Sequence, residues 1–261
     1  MTTDIDGALS GQVALIAGGG LRNGAAVRAL VGAGAGVVLQ AQGEDELAAA
    51  AEMTGCTVLD HPVETFADAD AVVAAVVAEH GGIDVLLTPV APTTSAGILD
   101  LDAATWESDV RRSAKRSAGL ARSVAHQLVA QGRGGRVISF GSSAAFSSAG
   151  TAQAAAHAAV LSLNNAVHVA LAEHGVNANC VLLEPATGDG PLLGALVAHL
   201  AGKASADIAG RLLYCSGREV GLYTMPLIIE SAHVMLRFGD TIDADTVGEL
   251  LQPLLTVGRP S

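Results

Sequence analysis

The sequence has few positively charged residues. It contains 14 Lys and Arg against 26 Asp and Glu in 261 residues, and its formal net charge at pH 7 is −12. Proteins bind nucleic acids and anionic membrane surfaces through clustered positive charge. The composition therefore argues against both of these partners, and we expect a small-molecule or protein partner instead.

Cysteine is scarce, and no metal-binding pattern accompanies it. Cys56, Cys180 and Cys215 are odd in number and show no Cys-x-x-Cys spacing, which indicates neither a disulfide framework nor a structural zinc site. Among the eight histidines, His168 and His174 are six residues apart and would not share one helical face. We expect buried thiols in a reducing cytoplasm and no metal.

Targeting and membrane segments are also missing from the sequence. Residues 1–6 lack the basic and apolar regions of a signal peptide. We expect no apolar run long enough to span a bilayer without a charge. The prediction is a cytoplasmic protein with no membrane partner.

Apolar runs of strand length alternate with helical patterns. The helical pattern is clear where apolar residues recur at i, i+4, as at Val72 and Val76. Such alternation implies parallel βαβ units with helices on both faces. We predict one domain, residues 1–261, with a Rossmann-like doubly wound parallel sheet of about seven strands in a three-layer α/β/α arrangement. The predicted strands are residues 12–17, 37–40, 57–59, 83–87, 136–140, 176–183 and 223–229.

The remaining expectations on chain organisation concern long helices. Residues 152–173 are a predicted helix, and residues 243–255 are a predicted final helix. Residues 231–261 form an extension to which the sequence assigns no role.

A glycine-rich turn joins the first strand to the first helix. It runs Gly18-Gly19-Gly20-Leu21-Arg22-Asn23-Gly24. A turn of this kind sets backbone N–H groups and the positive end of a helix against a pyrophosphate. The sequence therefore indicates a nucleotide site here, and a turn that only reverses the chain is the alternative.

Residues 135–184 resemble the active-site segment of the short-chain dehydrogenase/reductase family. A strand leads into Gly141-Ser142-Ser143, an alanine-rich helix follows from Ala152, and a second strand comes next. The resemblance covers about residues 9–230 and implies an oxidoreductase fold that uses NAD or NADP. Ser142 is the best match to the family's catalytic serine, and Ser143 is nearly as good.

The family's Tyr-x-x-x-Lys pair is absent from this sequence. In the alignment Gln153 stands at the tyrosine position and His157 at the lysine position. Glutamine does not titrate, so Gln153 cannot serve as a general acid or base. Imidazole does titrate near physiological pH. His157 lies four positions after Gln153, so the two side chains share one face of the helix. His157 is therefore a candidate general acid or base, and a structural helix histidine is the alternative. A shifted alignment does not restore the pair, because the only tyrosines and lysines are Tyr214, Tyr223, Lys115 and Lys203.

The cofactor positions depart from the family pattern as well. Gly18 and Gly24 match the outer glycines of the family's turn, whereas Arg22 replaces the middle glycine and could grip a phosphate or block the cofactor. At the end of the second strand, an acidic residue selects a ribose 2′-hydroxyl and a basic one a 2′-phosphate. This sequence has Gln42 there.

Two further family positions are replaced. Thr88-Pro89-Val90-Ala91 stands where the family has Asn-Asn-Ala-Gly, so the amides that support the adenine are lost. The resemblance also places a long helix at residues 103–131, in which Trp106 sets the register. Ser113 then takes the position of the family's catalytic asparagine, which holds a water in a proton relay. A surface helix serine is the alternative for Ser113.

Three functions stay open at this point. The first is a non-redox enzyme that performs elimination, isomerisation or ring closure on a small organic substrate with His157, Ser142 and Gln153. The second is a non-catalytic subunit that pairs with an active family member. The third is an NAD(P)-dependent oxidoreductase with an atypical proton donor. The resemblance also implies pairing through helices 103–131 and 152–173, in a homodimer, a homotetramer or a hetero-oligomer with an active family member.

Overall fold

A computed structural model describes residues 7–18, 24–88, 96–146, 150–183, 190–217 and 219–223. These ranges belong to a compact unit that ends at Tyr223. The predicted helix 243–255 and the extension 231–261 lie outside the described residues, and so does the glycine-turn residue Arg22.

The described part contains eight strands and seven α-helices. The strands are β1 Val13–Ala17, β2 Gly36–Ala41, β3 Cys56–Asp60, β4 Val85–Thr88, β5 Gly135–Ser142, β6 Val176–Leu183, β7 Leu212–Ser216 and β8 Glu219–Tyr223. The helices are α1 Gly24–Gly32, α2 Gly43–Ala51, α3 Phe66–His80, α4 Ala103–Val110, α5 Arg116–Gln131, α6 Thr151–Leu171 and α7 Pro191–Ala201. A 3₁₀ turn, Ser143–Phe146, follows β5.

The strands form one sheet in the order β3-β2-β1-β4-β5-β6-β7-β8. The first seven are parallel, and β8 pairs antiparallel with β7. This order confirms the predicted Rossmann-like doubly wound fold. The strand order reverses between β1 and β4, and ligands of such sheets bind outside the carboxyl ends of the strands near that point.

The last two strands of the sheet, β7 and β8, differ from the prediction in two respects. No strand was predicted at β7, because five residues that include Tyr214 and Ser216 carry too weak an apolar pattern. The last strand was predicted at residues 223–229, whereas β8 ends at Tyr223. Residues 224–229 lie outside the described part of the chain.

The core consists of two apolar layers, one on each face of the sheet. Successive side chains of a strand point to opposite faces, so neighbouring residues of β1 enter different layers. Ile16 packs in the layer that contains Leu30 of α1. Leu15 packs in the other layer, which contains Leu120 of α5. The predicted three-layer arrangement is confirmed.

The predicted long helix 103–131 is interrupted. A π-helical segment, Arg111–Lys115, separates α4 from α5. An extra residue per turn shifts the helical face that follows, and such segments occur frequently at functional sites. The sequence analysis did not reveal this interruption, because one inserted residue leaves the apolar period on each side unchanged and shifts only its phase.

The helix α6 corrects the expectation about membrane-length segments. By length and composition alone, Thr151–His174 suffices to cross a membrane. The helix nevertheless packs against β5 and β6. The packing of this helix on the sheet therefore explains its apolar composition.

Candidate functional site

The end of β5 lies against α6, and a glycine makes this close approach possible. A β-carbon on Gly141 would lie 2.7 Å from Cδ2 of Leu182 and 3.0 Å from Cδ2 of Leu161. Ser142 is the next and last residue of the strand, and its side chain is 3% exposed. By the alternation of the strand, Ser142 lies on the opposite face from Gly141 and pairs in register with Leu183.

The helix α6 carries His157 on its buried face. His157 is only 2% exposed, whereas Gln153, one turn earlier on the same side of the helix, is half-buried. The helix contacts β5, β6 and the 3₁₀ turn that follows Ser142. The imidazole therefore lies in the layer between α6 and its neighbours rather than on the outer surface. The catalytic roles of His157 and Gln153 stay predictions.

Ser113 lies in the π-helical segment and is buried. It is 4% exposed, which excludes the alternative of a surface serine. Within the described part of the chain its Oγ has no hydrogen-bond partner. An unpaired hydroxyl inside a protein costs free energy, so its presence calls for an explanation such as a ligand.

A buried acidic residue near Ser113 was missed by the sequence analysis. Asp109 is fully buried on α4, four residues before Ser113, and Ser117 is buried four residues after it. The elements that carry these three residues all contact α6. The i, i+4 spacing of three polar residues was the available signal, but it is equally typical of an exposed helical face.

The glycine turn after β1 fits a close backbone approach at its first position. Gly18 has φ +97°, a conformation that favours glycine, and its N–H donates to the carbonyl of Gln40 at 2.7 Å. Gly24 is the buried first residue of α1. Between them, residues 19–23 lie outside the described residues, so the predicted role of Arg22 stays a prediction.

At the end of β2, the side chain of Gln42 is held by the chain itself. Its Oε1 accepts the Val63 N–H at 2.8 Å, and its Nε2 donates to Oε1 of Glu64 at 3.2 Å. Its backbone N–H donates to Oε2 of Glu46 at 3.0 Å. The predicted cofactor selector thus makes hydrogen bonds to the segment that follows β3.

An arginine from α5 completes this polar cluster. Arg116 donates from Nη1 and Nη2 to the two carboxylate oxygens of Glu46 at 3.1 and 3.2 Å, a two-pronged contact. Its Nη2 also donates to Oε1 of Gln40 at 2.7 Å. Gln40 is fully buried and uses its other end to donate to the carbonyl of His61 at 2.6 Å. We call Gln40, Gln42, Glu46 and Arg116 the β2-end cluster.

A nicotinamide dinucleotide would therefore fit only part of this edge. Gly18 suits the pyrophosphate turn, but at the ribose-selecting end of β2 the carboxylate of Glu46 and the guanidinium of Arg116 are bound to each other. At the end of β4, Thr88 is buried, and its Oγ1 has no partner within the described part. The donor set at the β2 end does not fit the ribose of the family's cofactor.

The cysteines and the possible metal ligands add no reactive group to this edge. Burial raises the pKa of the Cys180 thiol, which keeps it in the neutral, unreactive form. All three cysteines are free. Among the described residues, no three His, Cys, Asp or Glu side chains are placed to hold a metal ion.

Comparison with known proteins identifies the family. Residues 12–189 match the family model described as short chain dehydrogenase. Because this match covers more than half of the chain, the protein belongs to the short-chain dehydrogenase/reductase family, as the resemblance predicted. Members of this family normally bind NAD or NADP.

Individual relatives agree with this placement. The galactitol 2-dehydrogenase of Agrobacterium fabrum (strain C58 / ATCC 33970) is 31% identical over 141 residues, which are 53% of this chain and 54% of the relative. The chain therefore matches about half the length of that enzyme.

Solved structures show the same fold. A short chain dehydrogenase from Mycobacterium avium superposes with a TM-score of 0.86 at 19% identity, over 98% of each chain. One from Mycobacterium smegmatis has a TM-score of 0.72 at 23% identity, over 83% of this chain and 97% of its own. At these identities the likeness supports the fold alone.

Proposed function

We propose that this protein is a non-redox enzyme that moves a proton with His157 on a small organic substrate. The observation that carries the proposal is the position of His157 on the face of α6 that also carries Leu161, one turn later, which meets Gly141 at the end of β5. This is the helix position of the family's lysine, and the residue at the tyrosine position, Gln153, has no titratable group. His157 is thus the one group of the pair able to exchange a proton near neutral pH.

The chemistry that suits these groups is elimination, isomerisation or ring closure. The neutral imidazole takes a proton from a substrate carbon, and the imidazolium returns it to a leaving group or to another substrate atom. The Ser142 hydroxyl and the Gln153 amide are candidates to donate hydrogen bonds to a substrate oxygen on which charge develops. The proton balance closes within the substrate, so this reaction requires no hydride acceptor.

The β2-end cluster supports a reaction without hydride transfer. Its carboxylate and guanidinium neutralise each other, and its amide groups bind other parts of the chain. In dinucleotide-binding sheets of this type, a carboxylate at this point hydrogen-bonds the ribose, or an arginine accommodates its 2′-phosphate. The ordinary family chemistry is further disfavoured because the loss of a positioned acid typically costs roughly two to four orders of magnitude in rate.

The test is a replacement of His157 measured on a reaction that runs without nicotinamide. Candidate ligands are first found by their effect on the thermal unfolding of the protein, and turnover is then followed without added cofactor. We expect His157→Gln to lower kcat by roughly 10²–10⁴-fold while the ligand still binds. His126→Gln, at an exposed histidine of α5, is the matched control and keeps its rate. An unchanged rate in His157→Gln removes this residue from the mechanism.

A second candidate function is that of a non-catalytic subunit. The observation that favours it is the burial of both Ser142 and His157, which leaves little surface for a substrate. Large apolar side chains are exposed on the outer faces of α4, α5 and α6 instead, at Trp106, Val129 and Val169. A surface depression of about 340 Å³ lies beside Trp106 and is also lined by Glu107, Val110, Arg111 and Lys115.

These outer faces support pairing through the helices of residues 103–131 and 152–173. Purification of the protein alone and together with active family members of the same organism tests this function. A 1:1 complex that excludes self-association supports the subunit role. A stable symmetric homo-oligomer with no copurifying family member contradicts it and leaves the enzyme proposal in place.

A further inference from the structure

The β2-end cluster brings together groups from parts of the chain that are far apart in sequence. Glu46 and Arg116 are 70 residues apart, and Arg116 is held by two oxygens of Glu46 and one of Gln40. The Arg116 side chain is 11% exposed and that of Glu46 is 23% exposed. An ion pair this sheltered is screened by solvent much less than a surface pair.

The pair lies at the strand end where relatives recognise the ribose of their cofactor. Oε2 of Glu46 accepts the N–H of Gln42, the residue that directly follows β2. In doubly wound sheets, a carboxylate at this point recognises the ribose 2′-hydroxyl of NAD, and an arginine nearby accommodates the 2′-phosphate of NADP. This chain has one group of each kind at the strand end, and each is bound to the other.

We propose that Glu46 and Arg116 are a specificity-determining pair that closes the ribose end of the dinucleotide site by mutual neutralisation. Wild-type protein then binds NAD(H) and NADP(H) weakly. Removing Arg116 leaves the carboxylate of Glu46 free to accept a ribose hydroxyl, which favours NADH. Removing the charge of Glu46 leaves the guanidinium of Arg116 free to bind a 2′-phosphate, which favours NADPH.

The charges around the pair determine which dinucleotide each variant binds more tightly. The first turn of α2 contains Glu44, Asp45 and Glu46, and Glu64 lies beside Gln42. A free carboxylate in this acidic surrounding repels a 2′-phosphate, so the loss of Arg116 does not improve NADPH binding. A guanidinium released from Glu46 offers that phosphate a cation at the end of β2, and arginine grips phosphate oxygens in two-pronged geometry.

The proposal is independent of the reaction at His157. It concerns the end of β2, which β1 and β4 separate from β5 along the sheet, and it is measured as binding rather than turnover. A failure of the dinucleotide test removes the support that the β2-end cluster gives to a reaction without nicotinamide, but the role of His157 is decided separately, by turnover of His157→Gln without added cofactor. A failure of the His157 test leaves the present proposal standing.

The experiment titrates NADH and NADPH, followed by the fluorescence of the reduced nicotinamide, into wild-type protein and two variants. For wild type we expect dissociation constants above about 1 mM, the upper end of ordinary Michaelis constants. Arg116→Met is expected to bind NADH at least about tenfold more tightly than wild type, with no such gain for NADPH. Glu46→Gln is expected to show the reverse preference.

Arg122→Met is the matched control. Arg122 also lies on α5 and forms an ion pair, in this case with Asp70 on the outer surface, so its loss leaves both titrations unchanged. Circular dichroism verifies that each variant is folded. Low-micromolar binding of either dinucleotide by wild type overturns the proposal, and this arm stands even where Arg116→Met fails to fold. The proposal is also overturned if the folded variants gain affinity for neither dinucleotide, or if both variants gain affinity for the same dinucleotide.

Discussion

Two regions of the molecule, the end of β2 and the surroundings of α6, differ in how their buried polar groups are paired. At the end of β2, the amide of Gln40 is bound at both its oxygen and its nitrogen, and Glu46 and Arg116 face each other directly. Next to α6, by contrast, Oγ of Ser113 and Oδ1 of Asn164 have no hydrogen-bond partner within the described part of the chain.

This difference separates a structural polar cluster from a candidate ligand site. A buried polar group without a partner costs about 1–3 kcal/mol, whereas a paired one is close to neutral or stabilising. Among its described residues, the chain therefore carries unpaired polar groups, Ser113 and Asn164, on or beside the helix of His157, whereas at the end of β2 the groups of the cluster are paired except for Nε of Arg116. The comparison predicts that substitutions at the β2 end change stability more than substitutions near α6.

The largest effect is expected for Gln40→Leu. Leucine fills a similar volume but leaves Nη2 of Arg116 and the carbonyl of His61 each short of a partner. We expect a loss of roughly 2–4 kcal/mol in the free energy of unfolding, measured in urea. Gln127→Leu, which removes only an i, i+4 contact to Gln131 on α5, is the control and costs about 0.5 kcal/mol or less. Equal stability of the two variants would contradict the comparison.

A smaller effect is expected at the start of α3, which follows the β3 end. Thr65 and Asp68 form a capping box: the Asp68 N–H donates to Oγ1 of Thr65 at 3.2 Å, and the Thr65 N–H donates to Oδ2 of Asp68 at 2.8 Å. Thr65→Ala is expected to cost about 1 kcal/mol in the free energy of unfolding.

The same cap gives a signed pH dependence. Hydrogen bonds from the backbone N–H groups of Thr65 and Glu64 lower the pKa of Asp68 below its ordinary value of 3.8. The folded-state pKa is thus below the unfolded one, so the stabilisation is present above pH 3.8 and is lost as the pH falls through the folded value. Urea unfolding at neutral and acidic pH measures it. In Asp68→Asn this part of the acid sensitivity disappears, and an unchanged pH profile would refute the assignment.

The smallest effect is expected for Ser113→Ala. The hydroxyl makes no hydrogen bond within the described part, so its removal changes the free energy of unfolding by less than about 0.5 kcal/mol or raises it. Ser123→Ala is the comparison. Ser123, on α5, is buried like Ser113, but its hydroxyl donates a hydrogen bond to Asp70. We expect Ser123→Ala to be the more destabilising of the two. The opposite order would show that Ser113 is already paired.

Much of the fold was predictable, and the misses have physical causes. The alternating apolar runs predicted six parallel strands correctly, because buried strands need apolar side chains on both faces. The short strand β7 and the π-helical interruption at Arg111–Lys115 were missed. Both depend on neighbouring elements more than on local pattern: β7 is paired on both sides, by β6 and β8, and one inserted residue hardly alters an apolar period.

The sequence alone determined that the Tyr-x-x-x-Lys pair is absent, since no packing can restore the pair to a chain that lacks it. It also indicated the family, through the resemblance of residues 135–184, and the layer order, through local periodicity. Only the tertiary structure decided that Asp109 is buried and that Arg116 meets Glu46 across 70 residues. Charged residues look alike in a sequence whether they face solvent or each other, and the packing of α5 on the sheet makes the difference.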